Sequence, residues 1–191
     1  MDAETAELRV LETARTLFEE RGVQAVGMDA IRTASGVSLK RLYQVFPSKD
    51  ALVEAVLRRR DTELRQAIAA HGATHADTPR ERILAVFDYL ADWFAEPGFR
   101  GCAFINAYGE IGGVSESVSE IARAHKAAVR EYFAALAAEL GAPDPGYLAD
   151  QLSILANGAM ATAGISGSPE PAGQAREAAR ALLTAAVPDG G

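Results

Sequence analysis

The chain has 191 residues, of which 49% are hydrophobic, with one cysteine and a net charge of −7 at neutral pH. At about 150 residues per domain this allows one domain or one and a half, and the apolar share is ample for a packed core. A single cysteine excludes an internal disulfide, so a reducing compartment, the cytoplasm, is expected; the acidic start MDAETAELRV lacks the basic and apolar regions of an export signal.

In chain order, Glu4 to Glu20 carries Leu8, Leu11, Ala14, Leu17 and Phe18 at helical intervals, and Arg21-Gly22 suits its C-terminus through the dipole and a left-handed cap. From Ile31 to Lys49 the chain reads IRTASGVSLKRLYQVFPSK, two short helices joined by a glycine turn. Ile31 and Ala34 are expected to form the apolar face of the first, Gly36 to end it in a left-handed conformation, and Val37 to plug the angle between the two. Ser38 caps the second, whose Leu42, Val45 and Phe46 face inward while Lys40, Arg41, Gln44 and Tyr43 face out. Pro47 stops that helix, and Ser48 caps the next, from Asp50 to about Ala70, with Leu52, Val56 and Leu57 near its start.

From Arg32 to Arg60 seven bases stand against two acids, a local charge of +5 that leaves −12 for the remainder. A basic footprint on an acidic body directs one face at a polyanion and keeps the rest away from it. The run Arg58 to Arg60 is equally compatible with a solvated helix surface, because three consecutive residues point around a helix rather than along one side.

His71-Gly72 to Thr78 reads as a break. Pro79 then opens a helix whose Ile83, Phe87, Leu90 and Phe94 form one stripe, ended by Pro97-Gly98. A short helix is expected between Phe99 and Gly113, and a long one from Ser115 to Leu140, stopped by Gly141 and Pro143. Two more follow, from Pro145 to about Ser166 and from Pro171 to Val187. No period-two strand pattern occurs, so the chain is predicted to be all-α with roughly nine helices. The uncharged run from Gln151 to Pro169 is interrupted by Ser153, Asn157, Gly158, Thr162 and Gly164; a spanning helix needs about 20 predominantly apolar residues, so no membrane association is expected.

The run GVSLKRLYQVFPSKDAL, Gly36 to Leu52, resembles the TetR-like one-component transcriptional regulators of bacteria. In that family a Gly-Val-Ser turn, a Leu-Tyr pair and Phe-Pro-Ser-Lys leading into a Leu-bearing helix occur in this order. The resemblance covers Leu8 to Leu57. It implies an N-terminal three-helix helix-turn-helix DNA-binding domain, residues 1–48, and a C-terminal helical effector-binding and dimerisation bundle, residues 49–191. The function implied is a DNA-binding regulator, a repressor by the family's commoner mode, that reads a palindromic double-stranded operator as a homodimer and is released by a small lipophilic effector. No cofactor and no enzymatic activity are expected. Ser38, Leu39, Lys40, Arg41, Tyr43, Gln44 and Lys49 are implied at the DNA. Lys40 and Arg41 would meet base edges, Gln44 an adenine or the backbone, and Tyr43, Lys49 and the Ser38 hydroxyl the phosphates. The chain departs from the family pattern twice. Gly27-Met28 stands where many members open the first motif helix with Thr or Ser, leaving Asp29 as the candidate cap. Leu39-Lys40 replaces a common Lys-Gly pair, which moves the positive charge by about 100 degrees around the helix.

The middle helices carry Phe87, Tyr89, Leu90, Trp93, Phe94, Phe104, Asn106, Tyr108 and His125. An aromatic stripe at helical spacing more often indicates core than pocket. The resemblance implies that these helices enclose an effector, with Asn106, Tyr108, His125, Gln151 and Asn157 as polar groups on an apolar lining suited to a lipophilic ligand, including an aromatic one. Leu148, Leu152, Leu155 and Ala159, then Ala179, Leu182 and Leu183, lie on the last two expected helices, whose small residues permit close approach. They fit either an intramolecular core or a four-helix dimer interface, and the resemblance favours the dimer.

Little supports an enzyme. His71 and His75 have metal-binding spacing near Asp77 but fall in an expected loop without an accompanying glutamate. Cys102 reads as a small buried residue, with Arg100 the one neighbour that suggests a redox sensor. The alternative reading is a small-molecule-binding helical protein or enzyme without sequence-specific DNA binding.

Overall fold

The computed structural model describes residues 2–188, which form nine α-helices and no strand: α1 (Ala3–Arg21), α2 (Met28–Ser35), α3 (Leu39–Val45), α4 (Lys49–His75), α5 (Pro79–Phe94), α6 (Ala103–Ile111), α7 (Glu116–Glu139), α8 (Pro145–Ser166) and α9 (Glu170–Ala186). Among the described residues no helix is long and apolar enough to cross a membrane.

Local chemistry accounts for the helix ends. Asp2 Oδ1 accepts from the Thr5 N–H at 2.8 Å to open α1, and α5 opens on a reciprocal capping box in which Thr78 Oγ1 accepts from the Glu81 N–H and Glu81 Oε2 from the Thr78 N–H. Gly22 ends α1 at φ 83°, ψ 159°, more extended than the left-handed cap expected there and accessible almost only to glycine. α2 lacks a side-chain cap: Gly27 occupies that position, and Asp29 lies one step inside the helix, where it pairs with Arg32 at 3.4 Å instead of capping.

Residues through Thr62 together with Ala103–Arg123 form one compact unit; Glu63–Cys102 with the chain from Ala124 onward form the other. The compact units therefore divide within α4 rather than at residue 48. The first half of α4 buries Leu52, Val53, Val56 and Leu57 and pairs Arg59 with Glu12 of α1.

In the first unit α1 packs on α2 and α3 through Ala6, Val10, Leu11, Ala14, Leu17 and Phe18, while Leu8, expected on this stripe, is half exposed. Ile31 and Leu42 are fully buried, each contributing about 1.5–3 kcal/mol of apolar burial. Ser35, not Ala34, completes the inward face of α2. Its hydroxyl donates to the Arg32 carbonyl at 3.3 Å and accepts from the Val37 N–H at 3.4 Å, satisfying an amide that the turn leaves without a helical acceptor. α6 starts at Ala103 rather than Phe99, and Glu110 near its end accepts from the Gln24 N–H at 2.8 Å, tying α6 to the α1–α2 loop.

In the second unit α5 packs against α8 and α9. Ile83, Phe87, Leu90 and Phe94 are buried as one stripe, and the Phe87 ring stacks on Phe133 of α7 with centroids 6.2 Å apart. α4 continues to His75, past the break expected at His71. Gly72 is accommodated because the Tyr132 hydroxyl lies 3.1 Å from where its Cβ would stand, and Thr74 Oγ1 donates to the Ala70 carbonyl at 2.8 Å. Gly164 of α8 likewise permits close approach, since a Cβ there would meet Gly101 N at 3.0 Å.

Candidate nucleic-acid interface and ligand cavity

The turn between α2 and α3 is built by one left-handed residue, Gly36, at φ 65°, ψ 16°, whose N–H donates to the Arg32 carbonyl at 3.1 Å. Val37 is buried in the corner. Ser38, extended at φ −64°, ψ 149°, accepts from the Arg41 N–H at 3.3 Å and starts α3. This fixes the rotation of α3: Leu42 and Phe46 point inward, and Leu39, Lys40, Tyr43 and Gln44 point to solvent, with Arg41 partly exposed beside them. The side chains of Lys40, Arg41, Tyr43 and Gln44 make no hydrogen bond or ion pair with the described residues. Such an array of donors with its polar capacity unspent suits a polyanion or the edges of bases.

Other members of the basic run are engaged within the chain. Arg32 pairs with Asp29, Arg58 lies 3.9 Å from Glu54, Arg59 holds Glu12, and Lys49 Nζ reaches the Gln24 carbonyl at 3.5 Å. The unengaged positive charge of this run thus includes Lys40 and Arg41 on α3, while Arg59 of α4 ties that helix to α1.

The second unit contains a small cavity of about 30 Å³ lined by Leu64, Ile68, Val86, Leu90, Trp93, His125, Lys126, Val129, Ser153, Ala156, Asn157 and Met160. That exceeds the roughly 10–15 Å³ one water requires but falls far short of a drug-sized site. Of the residues expected at an effector, Leu90, Trp93 and His125 meet here, joined by Asn157. Phe87 instead fills the core against Phe133, Tyr89 turns toward His71 at 5.8 Å, and Phe94 stacks near Phe99 at 4.6 Å. Phe104, Asn106 and Tyr108 lie on α6 in the other unit, the first buried and the others exposed.

Sequence reasoning missed Lys126. Its ammonium donates to Asn157 Oδ1 at 2.7 Å and to Cys102 Sγ at 3.3 Å, which puts a cation beside the buried thiol. The available signal was position: Lys126 interrupts an otherwise apolar stripe, Ala122, Val129, Phe133 and Leu136, on the inward face of α7. His71 and His75 stack at 4.3 Å on α4. Among the described residues no group of three or more His, Cys, Asp or Glu could hold a metal ion.

Of the residues expected at a dimer interface, Leu148, Leu152, Ala159, Ala179 and Leu183 are already buried inside the subunit, and Leu155 and Leu182 are partly buried. They form the intramolecular core between α8, α9 and α5, so little of their surface remains for a partner. The opposite face of α8 carries Tyr147, Gln151, Ile154, Gly158, Ala161 and Ile165 at alternating four- and three-residue intervals, with Tyr147 63%, Ile154 70% and Ile165 90% exposed. On α9 the exposed Gln174, Ala178, Ala181 and Ala185 follow the same spacing. This is the seam geometry that helices use against other helices.

Comparison with known proteins bears on the family and the fold. A family profile described as "Bacterial regulatory proteins, tetR family" matches residues 10–56, spanning α1 to the start of α4. The fold superposes on a TetR-family transcriptional regulator from Streptomyces coelicolor with a TM-score of 0.89 at 29% identity, covering 96% of each chain. It also superposes on a chain from Streptomyces avermitilis described as a candidate TetR regulator, with a TM-score of 0.82 at 35% identity, covering 95% of this chain and 97% of that one. Among curated proteins, the transcriptional regulator EthR of Mycobacterium tuberculosis is 32% identical over 77 residues, 40% of this chain and 36% of the relative, so this chain spans about a third of the length of the curated relatives it matches first. With the reading head matched as a family and full-length likeness carried at 35% identity, the chain belongs to the TetR family of bacterial transcriptional regulators.

Proposed function

We propose that this chain is a homodimeric transcriptional repressor that inserts α3 into the major groove of a palindromic operator and is released by a small lipophilic effector bound in the second unit. The observation that carries the reading is the outward face of α3, where Lys40, Arg41, Tyr43 and Gln44 stand unpaired on a helix held rigidly by Gly36, Ser38 and Leu42. Arg41 and Lys40 then meet base edges, with guanine the favoured partner of arginine, and Gln44 meets adenine or backbone. Leu39, half exposed at the start of α3, suits a thymine methyl. Tyr43 and Lys49 hold phosphates, and the Ser38 hydroxyl, which accepts from the helix, keeps its own proton to donate to one.

In functional terms residues 1–48 form the reading head and residues 49–191 the effector and dimer region. The outward seams of α8 and α9 pair with those of a second copy, giving the two-fold symmetry that a palindrome mirrors. The effector acts by binding one conformation of the subunit better than the other, tilting α4 and changing the separation of the two heads.

The test is selection of bound duplexes from a randomised pool, followed by salt titration of the winner against scrambled DNA. An enriched palindrome whose preference persists at physiological salt is the expected result. Weak, salt-labile binding with no enriched sequence would overturn it in favour of a helical ligand-binding protein.

A further inference from the structure

We infer that the cavity of the second unit is built for an amphipathic molecule bearing a single negative charge, a monocarboxylate on an apolar body, with Lys126 as its counter-ion. The inference rests on the reading of this cavity as the effector site and specifies the chemical class of the effector.

The cavity surface is almost wholly apolar, and the residues that bring polar groups near it all lie to one side. α4 and α5 contribute only apolar groups, Leu64, Ile68, Val86, Leu90 and Trp93, whereas every polar lining residue comes from α7 or α8: His125, Lys126, Ser153 and Asn157. Lys126 spends its ammonium protons on two neutral acceptors, Asn157 Oδ1 at 2.7 Å and Cys102 Sγ at 3.3 Å, and forms no ion pair among the described residues. A partly buried ammonium whose partners are an amide oxygen and a sulfur still carries its full charge for an arriving carboxylate to pair with. A second, independent observation points to the same place. Ser153 Oγ on the cavity wall is buried without a hydrogen-bond partner, and a hydroxyl in that state can donate to a carboxylate oxygen.

Charge count selects the head group. One ammonium and one hydroxyl match a carboxylate; a phosphate carries more charge, and no arginine lines the cavity. The apolar side selects the body, an alkyl or aryl group lying against Trp93 and Leu90. A cavity of about 30 Å³ must expand to admit it, and Met160, with its unbranched side chain, is the lining residue most readily displaced.

Trp93 is the only tryptophan in the chain and lines the cavity, so its fluorescence reports occupancy directly. Decanoate and 4-phenylbutyrate are titrated against the full-length protein beside their neutral counterparts, decan-1-ol and 4-phenylbutan-1-ol. Each acid is expected to saturate at a concentration at least about tenfold lower than its alcohol, the effect of a charge-assisted hydrogen bond. Lys126→Met should abolish that preference while leaving the alcohols within about twofold, and Ser153→Ala should weaken the acids severalfold. Lys126→Gln, which keeps a donor to Asn157, repeats the test with less disturbance, and alcohol binding together with circular dichroism verifies that each variant is folded. Acids and alcohols binding alike, or a preference that survives both Lys126 substitutions, would overturn the charge assignment and leave the effector cavity standing. Failure of all four compounds to bind would overturn both.

Discussion

Replacing Ile154 by alanine separates the two faces of α8. Fully burying an isoleucine side chain contributes about 1.5–3 kcal/mol. Ile154 leaves 70% of its surface exposed in the subunit, so pairing with a second copy can gain about 1–2 kcal/mol from it. Two-fold symmetry presents the residue twice and raises this to about 2–4 kcal/mol, and the methyl that alanine retains trims it to about 1.5–3 kcal/mol. The dimer should therefore dissociate roughly 10- to 150-fold more readily, measured by sedimentation equilibrium across a concentration series. Leu152→Ala is the matched control. Leu152 is fully buried within the subunit, so its truncation should lower thermal stability by about 2–5 kcal/mol and leave association of the folded protein unchanged. The reverse pattern, with Leu152→Ala splitting the dimer and Ile154→Ala leaving it intact, would refute the seam reasoning.

At the reading head, Arg41→Ala should cost about 1–3 kcal/mol of operator affinity and relax preference at one base pair, read from titrations against singly substituted duplexes; equal loss on every sequence would make Arg41 a phosphate contact. Lys49→Ala should lower the slope of log K against log salt by about 1 per head with sequence preference kept, and an unchanged slope would remove it from the phosphate set. Gly36→Ala meets no atom within 4 Å of the added Cβ, so the penalty comes from the left-handed backbone alone, about 1–2 kcal/mol; a thermal-melt loss well above this would mean that the corner is tighter than its geometry implies. The Glu81 carboxylate accepts from the Thr78 hydroxyl and from the Thr78 and Asp77 N–H groups, which hold its pKa below the ordinary glutamate value. Its contribution to the start of α5 is therefore present above the unfolded-state pKa and lost as pH falls through the lowered folded-state one. The stability difference between the wild type and Glu81→Gln should shrink on acidification through that window, and a difference that grew would contradict the sign.

The reading head was legible because its signals are local. Gly36, Ser38, Leu42 and the Phe46-Pro47-Ser48 stop act within a turn or so of chain, and the structure places each as its chemistry requires. The α5 stripe was equally clear, since large apolar residues at helical period leave little choice of inward face. α8 and α9 behaved differently. They carry small or apolar residues on most sides, so periodicity does not distinguish the side that packs within the chain from the side left exposed. Only packing against α5 shows that Leu152 and Leu183 turn inward and Ile154 and Ile165 outward. The cavity depended on distance in the same way. Leu90, Lys126, Ser153 and Asn157 come from three separated stretches of chain, and nothing local to any of them announces the others. Caps, turns and amphipathic period are set by neighbours a few residues away and can be read from the amino-acid order; burial, the meeting of Lys126 with Asn157 and the choice of face depend on partners remote in the chain, which only the folded arrangement supplies.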